Sequence, residues 1–216
     1  PVTQDKLRMP IVRHPDVSTI MTCSAGSQPE ALCAVVTSHL SMCAECMREL
    51  SLLEEIGVSL FECSAGEPDV KAAGLPSASA VFEQGLDARA WPAEGDVPWP
   101  LIAVLGHDLD AIDWTEIQPG IATHPVELSE HAMGDLRLMR LDSGKRLPSH
   151  GHHGEELSLV LRGSYSDESG SFGVGDMSDL DDDTRHSVLA GPEGCIILIA
   201  SEKKPEFLSE LAQASA

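Results

Sequence analysis

Two short stretches of this chain carry metal-binding side chains at spacings that one ion can use. The first runs His150-Gly-His152-His-Gly-Glu-Glu156, and His186 follows thirty residues after Glu156. His150 and His152 are two apart, so on a β-strand both side chains point to one face. The break at His153-Gly154-Glu155 lets the chain turn and return the Glu156 carboxylate to that face. Two imidazoles and a carboxylate form a nitrogen and oxygen set suited to zinc, manganese, iron or nickel, and His186 supplies a candidate fourth ligand. His153 and Glu155 are excluded, because alternation turns both away.

The second stretch is His39-Leu-Ser-Met-Cys43-Ala-Glu-Cys46. Cys43 and Cys46 are three apart, about one helical turn, so their thiolates converge, and His39 at the end of a preceding helix can join them. Zinc is the expected ion. A fourth ligand is needed: His14, 25 residues upstream, is the first choice, and Cys23, Cys33 and Cys63 are alternatives. A thioredoxin-like redox pair would require a βαβ context, which the sequence lacks. For the cysteines outside the pair, free thiols are the default.

The elements that must position these residues differ along the chain. Pro15 and Asp16 suit a helix start, predicting a first helix to about Ala25. Leu32, Val35, Val36, His39 and Leu40 fall on one side of a second helix over 29–40, and a third runs from about Cys43 to Gly57, where glycine can end it. Ser77 or Ser79 could cap a fourth with Val81, Phe82 and Leu86 as its apolar edge. The Pro- and Gly-rich segment 88–100 reads as a linker. Beyond it the pattern becomes short apolar runs: Leu101–Val104, Trp114–Ile117, Ile121–Leu128, Asp135–Leu141, Leu157–Leu161, Ser164–Tyr165, Met177–Leu180, Ser187–Leu189 and Cys195–Ile199. Many short strands at this spacing predict an antiparallel sandwich or barrel. Phe207, Leu208 and Leu211 mark a terminal helix. The expected organisation is multi-domain, α followed by all-β: a small zinc-binding helical bundle over 1–87, the linker over 88–100, and a β-domain over 101–216.

Charge narrows the function. The 216 residues hold 14 Lys and Arg against 35 Asp and Glu, a formal charge of −21. Phosphate contacts need cations, so binding to nucleic acid or to an anionic membrane is not expected, and a basic protein partner is. No apolar run is long enough to span a bilayer, and the first residues lack a signal-peptide core, which predicts a cytoplasmic location. Six cysteines do not form a secreted disulfide framework.

Gly144, His150, His152, Glu156 and Gly163 fit the first cupin motif at every position. The second motif is matched by Gly175 and His186, with Asp181, Asp183 and Ala190 where it has Pro, Gly and Asn. A zinc-type helical module followed by a cupin resembles the ChrR-type zinc-dependent anti-sigma factors over nearly the whole chain, through His14, His39, Cys43, Cys46, His150, His152, Glu156 and His186. The resemblance implies a jelly-roll-like cupin barrel, Zn2+ in the N-terminal site and Zn2+, Mn2+, Fe2+ or Ni2+ in the cupin. It also implies inhibition of an extracytoplasmic-function (ECF) sigma factor in the cytoplasm, with the cupin responding to an oxidant such as singlet oxygen. Metal-bound His and Glu, or a thiol such as Cys195, could be the reacting group. A homodimer through cupin sheet edges is a further expectation. The competing readings are a cupin dioxygenase or isomerase with an accessory helical domain, and an interaction protein whose metals serve stability alone.

Overall fold

The structure, a computed structural model, describes residues 10–64, 96–152 and 154–203. The expected helix at Val81–Leu86, the linker over 88–95, the terminal helix at Phe207–Leu211 and the side chain of Cys63 lie outside what is described.

Three helices lead: α1 (Val17–Ser24), α2 (Glu30–Met42) and α3 (Ala44–Ser64). Asp16 caps α1 in extended conformation, with its carbonyl accepting from the Thr19 amide. The third helix continues through Gly57, the expected stop. Glycine ends a helix by adopting positive φ, and Gly57 is not among the glycines that do so.

A 3-10 turn (Trp99–Leu101), a short helix α4 (Ile102–Leu105) and another 3-10 turn (Leu109–Ala111) then approach the sheet. The apolar run Leu101–Val104, expected as a strand, is therefore helical. Pro98 and Pro100 pre-set the backbone of the first turn, and Leu101 and Leu105, four apart, bury on one side. The end of the expected linker is also docked: Val97 is buried and Asp96 pairs with Arg162.

The remaining strands are β1 (Thr115–Gln118), β2 (Ile121–Pro125), β3 (Asp135–Leu141), β4 (His150–Gly151), β5 (Glu156–Asp167), β6 (Gly170–Gly173), β7 (Met177–Leu180), β8 (Arg185–His186) and β9 (Leu189–Ser201). Seven form one antiparallel sheet in the order β1-β2-β3-β9-β5-β6, with β7 also pairing β5, and β4 pairs β8 separately. The runs Leu157–Leu161 and Ser164–Tyr165 are one strand. Two irregularities interrupt its pairing with β9, between Val160 and Arg162 and between Gly163 and Tyr165. Gly163 has φ of +72°, and a Cβ there would lie 2.1 Å from the Gly194 carbonyl oxygen, so only glycine permits this approach of β9.

Alternation along β3, β5 and β9 divides the core. Leu136, Leu138, Leu157, Leu159, Leu161, Ile196 and Leu198 face the helices, where Ile20, Leu32, Val35, Val36 and Leu40 meet them. Met139, Leu141, Val160, Tyr165, Ile197 and Ile199 fill the opposite face. Buried residues of the helices and of this sheet face form one cluster, and each Leu or Ile buried in it contributes roughly 2 kcal/mol on leaving water. Both faces of β9 are covered, which is why Cys195–Ala200 is uninterruptedly apolar.

Candidate metal centre

The candidate N-terminal ligands come from three places. His14 precedes α1, His39 lies in the last turn of α2, Cys43 ends that helix with φ −114° and ψ 103°, and Cys46 lies in the first turn of α3. The α2–α3 corner is therefore built on a ligand residue. The four ligand atoms all lie within 4.8 Å of one another. His14 Nδ1 is 3.5 Å from Cys43 Sγ and 3.3 Å from Cys46 Sγ, and His39 Nε2 is 3.3 Å from Cys46 Sγ. A tetrahedral zinc with ordinary bond lengths sets nitrogen–sulfur edges of ~3.6 Å, so the cluster needs only a small expansion to fit. Hydrogen bonding from Cys46 foremost, joined by His39 and opposed by burial, pulls the Cys43 thiol down, toward the thiolate form that binds a metal. His14 is the most exposed of the four, with Nε2 3.9 Å from the Glu45 carboxylate. Cys23 and Cys33, kept open as alternatives, lie together elsewhere.

The candidate cupin ligands are His150 on β4, His152, Glu156 at the start of β5, and His186 on β8. Their ligand atoms also fall within 4.8 Å of one another. His152 Nδ1 is 3.0 Å from Glu156 Oε2, and His186 Nε2 is 4.0 Å from Oε1. The ring centroids of His150, His152 and His186 are 4.7 to 5.2 Å apart. Nε2 of His152 and Nε2 of His186 are buried without a hydrogen-bond partner. Orphaned buried imidazole nitrogens around one carboxylate fit a cation. Burial foremost holds His150 below its ordinary pKa, leaving a neutral ring, and Nδ1 donates to the Pro148 carbonyl at 2.9 Å, which assigns Nε2 as the lone-pair nitrogen.

The residues that depart from the second cupin motif acquire a role here. Asp181, in place of Pro, turns the chain itself: its carbonyl accepts from the Thr184 amide and its carboxylate from the Thr184 hydroxyl at 2.6 Å. The turn returns β8 to β4, where His186 pairs directly with His150. Glu155 points away from the centre, as alternation predicts, and accepts from Gln28 at 3.1 Å. Beside His150, Glu156 and His186 is a small cavity of about 10 Å³, room for roughly one water, walled by Ser158, Tyr165 and Ile197 among others.

Sequence reasoning missed the groups that orient the ligands. The Asp167 carboxylate accepts from His186 Nδ1 at 3.2 Å, aiming Nε2 at the centre. The Gly175 carbonyl accepts from His39 Nδ1 at 2.9 Å. The buried Asp176 carboxylate accepts from the amides of Val12, Arg13 and Gly173, and Asp179 accepts from Thr19 at 2.7 Å. Asp176 in the β6–β7 turn and Asp179 in β7 clamp the segment on either side of His14, while Gly175 holds His39 of α2. The signal for Asp167 was the Asp-x-x-Gly turn it caps; single aspartates and a carbonyl carry none.

Residues 104–204 match the profile of a family described as the ChrR cupin-like domain. The anti-sigma-E factor ChrR of Cereibacter sphaeroides is 33% identical over 205 residues, covering 93% of this chain and 94% of that protein. Among solved structures, that of Rhodobacter sphaeroides SigE in complex with the anti-sigma ChrR matches with a TM-score of 0.71 at 31% identity, over 88% of this chain and 99% of the matched one.

Proposed function

This chain belongs to the ChrR family of anti-sigma factors, and we propose from that premise that it binds an ECF sigma factor through its helical module and holds it inactive in the cytoplasm. The observation that carries the reading is the match along almost the full length of an anti-sigma factor, helices and cupin together. That match sets aside the competing reading of a dioxygenase or isomerase.

Physical features support the partner. A sigma factor presents basic and apolar surfaces, and here an acidic chain exposes Val17 and Met21 on α1 and Leu52 and Ile56 on α3. Residues 1–87 form the sigma-binding unit in this reading and 101–216 the cupin. His14, His39, Cys43 and Cys46 hold Zn2+, which fixes the α2–α3 corner. His150, His152, Glu156 and His186 hold Zn2+, Mn2+, Fe2+ or Ni2+, and this centre responds to an oxidative signal such as singlet oxygen. Cys195 is a poor reacting group, since burial pushes its thiol up to about 12.

The test is transcription from promoters of ECF sigma factors in a purified system. Zinc-loaded full-length protein should co-purify with its sigma factor and silence it, and His39→Ala should lose both effects. Failure to bind any sigma factor of this class would sink the reading.

A further inference from the structure

Cys23 lies in the last turn of α1 and Cys33 in the first turn of α2, ten positions apart around the turn at Gly26. Each sulfur reaches over the other residue's backbone: Cys23 Sγ is 3.9 Å from the Cys33 carbonyl oxygen, and Cys33 Sγ is 3.8 Å from that of Cys23. This reciprocal contact sets the two side chains next to each other. Cys23 is buried and Cys33 only partly so, and both are free thiols. Neither belongs to a cluster of three or more metal-ligating groups among the described residues. An accessible thiol beside a buried one, without a metal to claim either, is an arrangement for thiol oxidation.

We propose that Cys23 and Cys33 form a second, metal-free redox site, which a hydroperoxide oxidises to a disulfide joining α1 to α2. Cys33 is the attacking sulfur. It is the more accessible, and the hydrogen bond from Cys23 lowers its pKa, while burial and the nearby Glu155 charge oppose that shift. The same hydrogen bond and burial push Cys23 up, keeping it protonated. The Cys33 thiolate attacks one peroxide oxygen, the O–O bond breaks, and the leaving alkoxide takes a proton from water to become the alcohol. Cys23 sulfur then displaces the hydroxyl of the Cys33 sulfenic acid, and its proton leaves with that hydroxyl as water. Two thiols and one hydroperoxide thus give one disulfide, one alcohol and one water.

The position gives the bond a consequence. Glu155, whose charge acts on Cys33, accepts from Gln28 in the α1–α2 turn and adjoins the cupin ligand Glu156. Closing the disulfide pins α1 to α2 where the helical module meets the cupin. This site is additional to the metal centre assigned to oxidant response above.

The experiment treats zinc-loaded full-length protein with hydrogen peroxide and digests it at glutamate without reduction. Glu30 lies between the two cysteines, so cleavage there puts them on separate peptides that stay joined only if they are bridged. The expected product is a Cys23–Cys33 cross-link with a mass loss of two hydrogens while zinc stays bound. In Cys23→Ser, a sulfenic-acid trap should label Cys33 about tenfold or more above Cys195; Cys33→Ser, altered at the partly buried position, should leave Cys23 unlabelled. The proposal is overturned if Cys43 and Cys46 oxidise first with zinc release, if Cys23 bridges to another cysteine, or if Cys23 labels freely in Cys33→Ser.

Discussion

The Nδ1 of His39 donates to the carbonyl oxygen of Gly175 at 2.9 Å, across 136 positions of sequence. One candidate ligand of the N-terminal centre is therefore oriented by the cupin. Gly175 begins the turn into β7, and β7 pairs with β5 so that Leu180 faces the cupin ligand Glu156. Only four residues, 176–179, thus separate the group that orients His39 from the strand position beside Glu156.

Gly175→Ala should disturb both parts. Gly175 has φ of +91°, and a Cβ would lie 2.5 Å from Ile11 Cδ1. Ile11 can shift, but the backbone strain stays, at a cost of about 1–3 kcal/mol. The carbonyl would move from His39, and loss of such an orienting partner typically weakens metal affinity by about 10–100-fold. Chelator competition for zinc checks this, and an unchanged zinc affinity would refute the coupling.

Asp167→Asn should act on the cupin centre alone. The Asp167 Oδ1 accepts from the Ser169 and Gly170 amides, so the new amide nitrogen would face His186 Nδ1. As a donor it forces the ring proton onto Nε2, the nitrogen aimed at the ligand set. Metal retention at this centre should fall about 10–100-fold, while zinc at His39 is retained. Elemental analysis after dialysis distinguishes the outcomes, and full occupancy of both centres would contradict the role given to Asp167.

Metal content should be two ions per chain. His39→Ala should lose one and His152→Ala the other, since no residue is shared between the two clusters. A protein holding a single ion, lost only with His152→Ala, would show that the Cys43–Cys46 unit is a thiol pair without zinc.

Glu155→Gln should change how stability depends on pH. Burial first, and then the Asp179 and Glu202 charges, raise the Glu155 pKa above its ordinary 4.5, against the opposing hydrogen bond from Gln28. Above the raised folded value, Glu155 is ionised in both states and the folded protein bears the whole cost. Below 4.5 it is protonated in both and the cost is gone. The variant should therefore melt above the wild type at neutral pH, the gap closing as pH falls through that window. A gap that widens toward acid would reverse the assignment.

What the sequence determined by itself is which side chains of metal-binding type come together. His150 and His152 share a face because strands have a period of two, and Cys43 and Cys46 converge because a helical turn takes about three and a half residues. Both facts are local, so spacing alone discloses them. The strands Asp135–Leu141 and Met177–Leu180 were legible for the same reason, since alternation or a bounded apolar run marks them. Only the tertiary structure decided that the helices lie on the sheet, that Leu101–Val104 coils, and that Asp181 makes the turn a proline would have made. It also decided which groups aim the ligands. Asp167, Asp176 and the Gly175 carbonyl do so through contacts spanning 19 to 164 positions. A backbone carbonyl is common to every residue and a lone aspartate is usually a solvated charge, so neither declares its partner until the chain folds.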